Sequence, residues 1–227
     1  MREREKMFNT ISSTYDWVNR ILSLGQDLRW RKKIARFLPT TPISLLDLAT
    51  GTADQLIVLC DLCPNITQAI GIDLAEDMLK IGQKKLRGKP YKAQLIKGDA
   101  ERLPFLDESF DITTISFGIR NVHHVDKALK EMYRVLKPQG KSFILEFSLP
   151  SNQPVKQAHL FYIQKLLPKI GGFISKNPEA YTYLNKTIER FPYGEAFLKL
   201  MDKEGFKNLT ATPFTFGSVT LYEGAKC

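Results

Sequence analysis

An α/β fold on a mostly parallel sheet is what this sequence predicts, and three observations carry the prediction. Residues 44–54, SLLDLATGTAD, read as a short apolar strand, a tight turn around Gly51 and a helix start at Asp54. That is the first unit of a doubly wound sheet. Along residues 43–147, apolar runs then alternate with helical patterns, which implies parallel pairing with right-handed crossovers. The tail, FKNLTATPFTFGSVTLYEGAKC, holds two β-rich runs around Pro213 with no helix between them. Those two must pair antiparallel, so the expected sheet is Rossmann-like, with seven strands of which one is reversed.

The elements follow in order. Residues 1–42 read as a helical arm that covers the open edge of the ligand cleft, with simple packing on the sheet as the alternative. Phe8, Ile11, Tyr15, Val18 and Leu22 lie at helical spacing, a break falls near Gly25, and Pro39 and Pro42 end the arm. Strands are expected at 43–48, 68–72, 92–96, 110–116 and 141–147, with helices at 54–62, 75–86 and around 126–136. The main domain, 43–227, is interrupted at 151–192 by a stretch expected to form a helical substrate lid. There Phe161, Tyr162, Ile163, Leu166, Leu167 and Ile170 give an apolar surface bordered by Lys156, Lys165 and Lys169.

Composition narrows the class. The chain has 227 residues, 43% of them hydrophobic and 25% charged, an ordinary globular balance for one domain. Neither a run of about 18 apolar residues nor a secretory signal is visible. The three cysteines make no disulfide framework, and Cys60 and Cys63 sit in a helical pattern with no second pair, so buried thiols are expected and no metal. A cytoplasmic location follows as an expectation. The net charge of +9 is uneven: residues 1–40 carry +5 and 151–190 carry +4, while the rest balances. Such an excess suits nucleic acid, an anionic membrane surface or a plain solvated face. No basic stripe interleaved with aromatics is present, which argues against nucleic acid.

The charges at the strand ends point to a ligand. The turn after the first strand has one glycine, no lysine and acids on both sides, Asp47 and Asp54. Those acids would repel a phosphate but suit a ligand with an ammonium and a sulfonium, so S-adenosylmethionine is the expected cofactor. Asp73 closes the second strand and can accept from ribose hydroxyls, and Asp99 closes the third and can accept from an adenine amino group. N-capping by Asp54 and Asp73 is the competing explanation.

With these motifs in place, the sequence resembles the ubiquinone/menaquinone biosynthesis C-methyltransferases. The pattern Y-D-x-x-N-x-x-L-S-x-G-x-x-x-x-W is met by Tyr15, Asp16, Asn19, Leu22, Ser23, Gly25 and Trp30, and a second signature by RVLKPQG at 134–140 with Ile144, Glu146 and Ser148. SFGIRNV at 116–122 and the tract from Tyr183 to Pro192 are similar to further family segments. Three departures stand out: Asp27 where the family usually has histidine, Gln139 where glycine is common, and a glycine turn thinned to Thr50-Gly51-Thr52-Ala53.

The resemblance implies a class I methyltransferase that methylates a ring carbon of a prenylated hydroquinone, 2-demethylmenaquinol to menaquinol first, with the ubiquinone-pathway ring or another small molecule as alternatives. It implies cofactor contacts at Thr52, Asp73, Asp99, Ala100 and Ser116, beside Gly51 and Asp47. Peripheral contact with the inner face of the membrane and a homodimer are further expectations. Catalysis needs loss of a phenolic proton and stabilisation of the phenolate. The candidates are Arg120 for the charge, Asn121 for orientation and His123 or His124 for the proton. Tyr15, Tyr162 and Tyr183 are candidates for the quinol pocket. A non-catalytic cofactor-binding partner of a quinone-synthesis assembly is the competing function.

Overall fold

The computed structural model describes residues 2–166, 187–188 and 190–227, with the side chains of residues 2–5, 11 and 22 left aside. Two helices, α1 (Arg2–Leu22) and α2 (Gln26–Ile34), precede β1 (Ile43–Leu48), α3 (Asp54–Leu62), β2 (Ile66–Asp73), α4 (Glu76–Leu86) and β3 (Ala93–Lys97). Then come β4 (Phe110–Ser116), α5 (Val125–Val135), β5 (Leu136–Phe147), α6 (Gln153–Phe161), α7 (Glu195–Lys203), β6 (Lys207–Phe214) and β7 (Val219–Ala225). The expected strand 141–147 is longer, because β5 begins at Leu136 and pairs with Phe110 across a register shift.

The strands lie in the order β3-β2-β1-β4-β5-β7-β6. Every pair from β3 to β5 is parallel, whereas β7 runs antiparallel to both β5 and β6. The reversed strand is therefore inserted inside the sheet rather than added at its edge. Strand order reverses direction between β1 and β4, the point where the two crossovers diverge and leave a crevice at the carboxyl ends. All six residues of β1 are buried, as a central strand covered on both faces must be. One face packs Trp30, Ile34, Leu56 and Leu59 against Leu45 and Phe143. The other packs Leu129, Met132, Phe197 and Met201 against Leu46, Ile144 and Tyr222.

The arm's signature residues have physical roles. Gly25 takes the left-handed conformation, φ 72°, that turns the chain between α1 and α2. Trp30 donates its indole N–H to Thr215 Oγ1 at 2.8 Å, pinning α2 to the β6–β7 hairpin. The expected apolar face of α1 is partly as read: Val18 is buried in a cluster with Ala75, Met78 and Ile163, with Phe8 and Tyr15 beside it. The opposite side is a surprise. Trp17 and Ile21, one turn apart on α1, are 72% and 41% exposed, and Leu24 in the turn that follows is 87% exposed. In the 151–192 stretch, α6 passes into a π-helical turn, Tyr162–Leu166, with Phe161 and Leu166 exposed. The remainder of that stretch, including Leu167, Lys169, Ile170 and Tyr183, lies outside the described residues apart from a few flanking positions. Cys60 and Cys63 are both buried and free, and burial pushes the Cys60 thiol up to about 12, so it is inert at neutral pH.

The glycine of the K-P-x-G run now has its reason. A Cβ on Gly140 would stand 2.8 Å from the Lys137 carbonyl oxygen and 2.9 Å from that of Asp111, neither of which can yield. The neighbouring Gln139, exposed at φ 66°, occupies a conformation in which glycine is unstrained. Gly140→Ala should destabilise by about 1–3 kcal/mol, and Gln139→Gly should stabilise by about 0.5–1 kcal/mol. Urea unfolding of the two variants should move the midpoints in opposite directions.

Candidate functional site

The turn between β1 and α3 is an unusual piece of backbone. Ala49, Gly51 and Ala53 all have positive φ, at 46°, 55° and 66°. Only one of the three is glycine. Two alanines accept the left-handed conformation, at a cost of about 1–2 kcal/mol each, because side chains below hold the turn in place. Asp73, at the end of β2, accepts the Gly51 N–H at 2.8 Å and the Ala75 N–H at 2.8 Å. Asp47, at the end of β1, accepts from Thr50 Oγ1 and Thr114 Oγ1, each at 2.6 Å. Burial pushes the Asp47 carboxyl up to about 6, against the pull of those hydroxyls and of Arg31. Burial also raises Asp73, opposed by its backbone N–H donors.

Over this turn lies an open cleft of about 840 Å³ at the carboxyl ends of the central strands. Its lining brings together Gly51, Asp73, Asp99, Ala100 and Ser116 with Asn121 and His123, and with Phe8 and Tyr15 of the arm. A smaller space of about 310 Å³ lies next to it, bordered by Tyr15, Arg31, Asp47, Thr52, Gln55 and Ser116 among others. Ser116 lines both and donates to Gln55 Oε1 at 2.9 Å. Asp99 accepts the Glu101 N–H at 2.9 Å. Glu101 in turn accepts the backbone N–H groups of His123 and His124 at 2.5 and 3.0 Å, fastening that loop to the cleft.

Several expected residues stand elsewhere. Thr52 is buried, and its hydroxyl contacts Asp16 Oδ1 at 2.6 Å and Lys85 Nζ at 2.9 Å, so it borders the smaller space and not the cleft. Asp54 does not offer a free carboxylate. It meets Arg20 at 2.6 Å and Lys85 at 2.7 Å, and although burial raises its carboxyl, Arg31, Lys85 and Arg20 together hold it below the usual range. Arg120 is turned away from the cleft lining. Its guanidinium is buried against Glu146, 2.6 Å away, and against the Phe117 carbonyl at 2.7 Å. An arginine following a strand end reads as a reagent in sequence; here a fully buried carboxylate on β5 has captured it. Its charge still reaches Tyr15, whose phenol burial raises and Arg120 and Arg31 pull back. Tyr162 packs beside Val18, Ala75 and Met78, behind the cleft wall rather than among its lining residues. Tyr183 lies outside the described residues. His124 is exposed and stands at the start of α5, whereas His123 reaches the cleft.

Sequence reasoning missed Phe8, Glu101, Arg31, Lys85 and the partnership of Glu146 with Arg120. It also left Asp27 unexplained. Asp27 is buried, accepts from Ser23 Oγ at 2.9 Å and pairs with Arg20. The charges thus run in a chain from Asp27 to Arg20, Asp54, Lys85 and Asp16, the last also bonded to Thr52. This clasp fastens the arm to the turn. Among the described residues, no cluster of side chains suits a metal ion.

The fit to S-adenosylmethionine rests on the donor set. Asp73 keeps oxygen lone pairs beyond its two backbone donors and stands at the cleft wall, where ribose hydroxyls can donate to it. No lysine and no second glycine of a phosphate-binding loop is present at the turn.

Comparison with known proteins agrees with this geometry. A family model described as the ubiE/COQ5 methyltransferase family matches residues 2–226. A demethylmenaquinone methyltransferase of Bacteroides fragilis is 41% identical over 226 residues, covering 98% of this chain and 91% of that one. A ubiquinone/menaquinone biosynthesis C-methyltransferase of Geobacter sulfurreducens is 40% identical over 223 residues, 97% of this chain and 87% of that one. Among solved structures, a possible histamine N-methyltransferase of Thermotoga maritima superposes with a TM-score of 0.70 at 20% identity, covering 96% and 99% of the two chains. That last likeness speaks for the fold alone.

Asp47 carries a consequence for stability. Its carboxyl ionises near 6 in the fold and near 3.8 when free, so its ionised form is disfavoured by folding. Its effect is absent at pH below about 4, where it is protonated in both states, and grows to about 3 kcal/mol of lost stability above pH 6. Asp47→Asn should therefore gain stability relative to the parent as pH rises from 4 to 7 and level off above. Paired urea unfolding curves across that range check the sign.

Proposed function

From the premise that the chain belongs to the ubiE/COQ5 methyltransferase family and is an S-adenosylmethionine-dependent C-methyltransferase, we propose that it methylates the ring of a prenylated hydroquinone, converting 2-demethylmenaquinol to menaquinol. The observation that carries the reading is the cleft itself, which brings Asp73, Asp99 and Ala100 together with Asn121, His123 and, from the arm, Phe8 and Tyr15. The relatives named demethylmenaquinone methyltransferase favour the naphthoquinol, and those named for both pathways keep the benzoquinol as a second reading.

The cofactor supplies an electrophilic methyl group on a sulfonium. Everything else falls to the protein. Asp73 receives the ribose hydroxyls, Asp99 and the Ala100 backbone receive the adenine, and Gly51 and Ser116 line the path between. Asp47 and Thr52 act from beneath, by fixing the turn. On the substrate side, loss of the phenolic proton raises electron density at the ortho carbon, which attacks the methyl in line as its bond to sulfur breaks and a neutral thioether is left. The ring proton at that carbon then leaves, aromaticity returns and the phenolate regains a proton, so that one proton is released in all. His123, at the exposed end of the cleft, takes the proton and passes it to water. Asn121 orients the hydroxyl, Tyr15 packs on the ring, and Arg120 lends its charge from behind Tyr15 rather than by contact. Holding both partners in one cleft contributes most of the acceleration. Residues 1–42 act as its fixed wall.

Incubation with S-adenosylmethionine and reduced short-tailed 2-demethylmenaquinol should give one added ring methyl by mass spectrometry. His123→Ala should lower kcat about 10²–10⁴-fold. Absence of product with both quinol rings would defeat the substrate reading.

A prenylated substrate also places the protein at a lipid surface. Among the described residues no helix is long and apolar enough to cross a membrane. Contact is proposed through the exposed apolar side chains of Trp17 and Ile21 on α1 and Leu24 in the turn after it, with the basic residues of α2 nearby in sequence. Trp17→Glu with Leu24→Glu should reduce co-sedimentation with anionic phospholipid vesicles while leaving turnover of a detergent-soluble quinol unchanged. Unaltered sedimentation would remove this surface from consideration.

A further inference from the structure

Among the described residues, Arg31 is a charged group at the site that the clasp and the turn leave without a hydrogen-bonding partner. It is 7% exposed and stands on α2, with its guanidinium over the Phe117 ring at 5.3 Å from the centroid. Among the described residues its side chain enters neither a hydrogen bond nor an ion pair, and its Nε is buried without an acceptor. Only its backbone oxygen is engaged, by Gln55 Nε2 at 3.5 Å. A buried guanidinium in this state is costly unless an acceptor arrives. The acids near it are already committed. Asp47 serves Thr50 and Thr114, and Asp54 serves Arg20 and Lys85. Arg31 acts on both through space, lowering each carboxyl, without bonding either.

The smaller space beside the cleft is lined by Arg31 together with Asp47, Thr50, Gly51, Gln55 and Ser116. It adjoins the cleft through residues the two share, Gly51, Ser116 and Tyr15. A planar fork of N–H donors facing a polar space matches a carboxylate or a phosphate, and of these the cofactor carries a carboxylate. We infer that Arg31 receives the α-carboxylate of the amino-acid end of the cofactor, and that this contact selects ligands carrying that group. The inference rests on the cofactor reading above and adds to it a residue on the arm that recognises one group of the cofactor. It also gives the arm a part in cofactor binding beyond walling the cleft, since α2 carries the receiving group. The anchored Trp30 next to it in sequence holds that helix still.

A cycle over protein and ligand tests it. The full chain, Arg31→Gln and Arg31→Lys are each titrated calorimetrically with S-adenosylmethionine and with decarboxylated S-adenosylmethionine, which keeps the sulfonium and ammonium and lacks only the carboxylate. The parent should prefer the carboxylated form by about 10–100-fold. In Arg31→Gln that preference should shrink to within about 3-fold, with affinity for the decarboxylated form little changed. Arg31→Lys, which keeps the charge without the fork, should retain part of it. The inference is overturned if Arg31→Gln keeps the full preference, or if it loses both ligands in parallel, which marks a structural role. A parent chain that binds neither ligand would instead defeat the cofactor reading, an outcome distinct from either.

Discussion

The bond from the Gly51 N–H to the Asp73 carboxylate is the constraint on which the rest of the site depends. It joins the end of β2 to the turn after β1, and with the Asp47 hydrogen bonds below it keeps three successive alternate residues left-handed. A turn with only one glycine cannot hold that shape by propensity. It holds because two carboxylates, both made harder to ionise by burial, are fixed under it. Strain in the backbone and strain in the charge state are offset by the sheet around them, an arrangement that marks functional sites more often than structural ones.

The arm is bound to this turn by the same kind of force. Packing places Val18 against α4 and Trp30 against α3, while the alternating charges from Asp27 to Asp16 set the angle at which α1 crosses the turn. These pairs are half-buried, so their Coulomb gain is larger than at an open surface, and breaking one leaves its neighbour uncompensated. Glu146 and Arg120 repeat the logic on the other side of the cleft, where a buried pair shapes the loop that presents Asn121 and His123.

Most of the fold was legible in the sequence because it depends on local periodicity. The alternation of apolar runs and helical patterns is written into residues 43–147, and the bounds of β1, α3 and β4 agree with the reading to the residue. The insertion of β7 between β5 and β6 was not, because register across a sheet depends on pairing that no local pattern encodes. At the site, Asp73 and Asp99 were readable from position, Asp73 closing β2 and Asp99 standing two residues past β3, whereas Ala100 and Ser116 came from the family resemblance. Arg120, Asp54 and Thr52 were assigned to a ligand because their partners come from distant segments: Glu146 on β5, Lys85 on α4, Asp16 on α1. Arg31 went unnoticed for the converse reason, since in sequence it is one basic residue in a run of several.

The clasp also bears on how such chains can diverge. Its members sit at positions 16, 20, 27, 54 and 85, drawn from α1, α2, α3 and α4, and each cation is shared between two acids. Replacing Asp27 by a neutral side chain or by histidine removes one of the two counter-charges of Arg20 and leaves Asp54 to hold it alone. Positions 20 and 27 are therefore expected to be exchanged together in descent, and a residue far from any reacting atom becomes inherited as part of a set. The aspartate that departs from the resembled pattern is, on this view, half of a paired change whose other half should be sought at or beside Arg20.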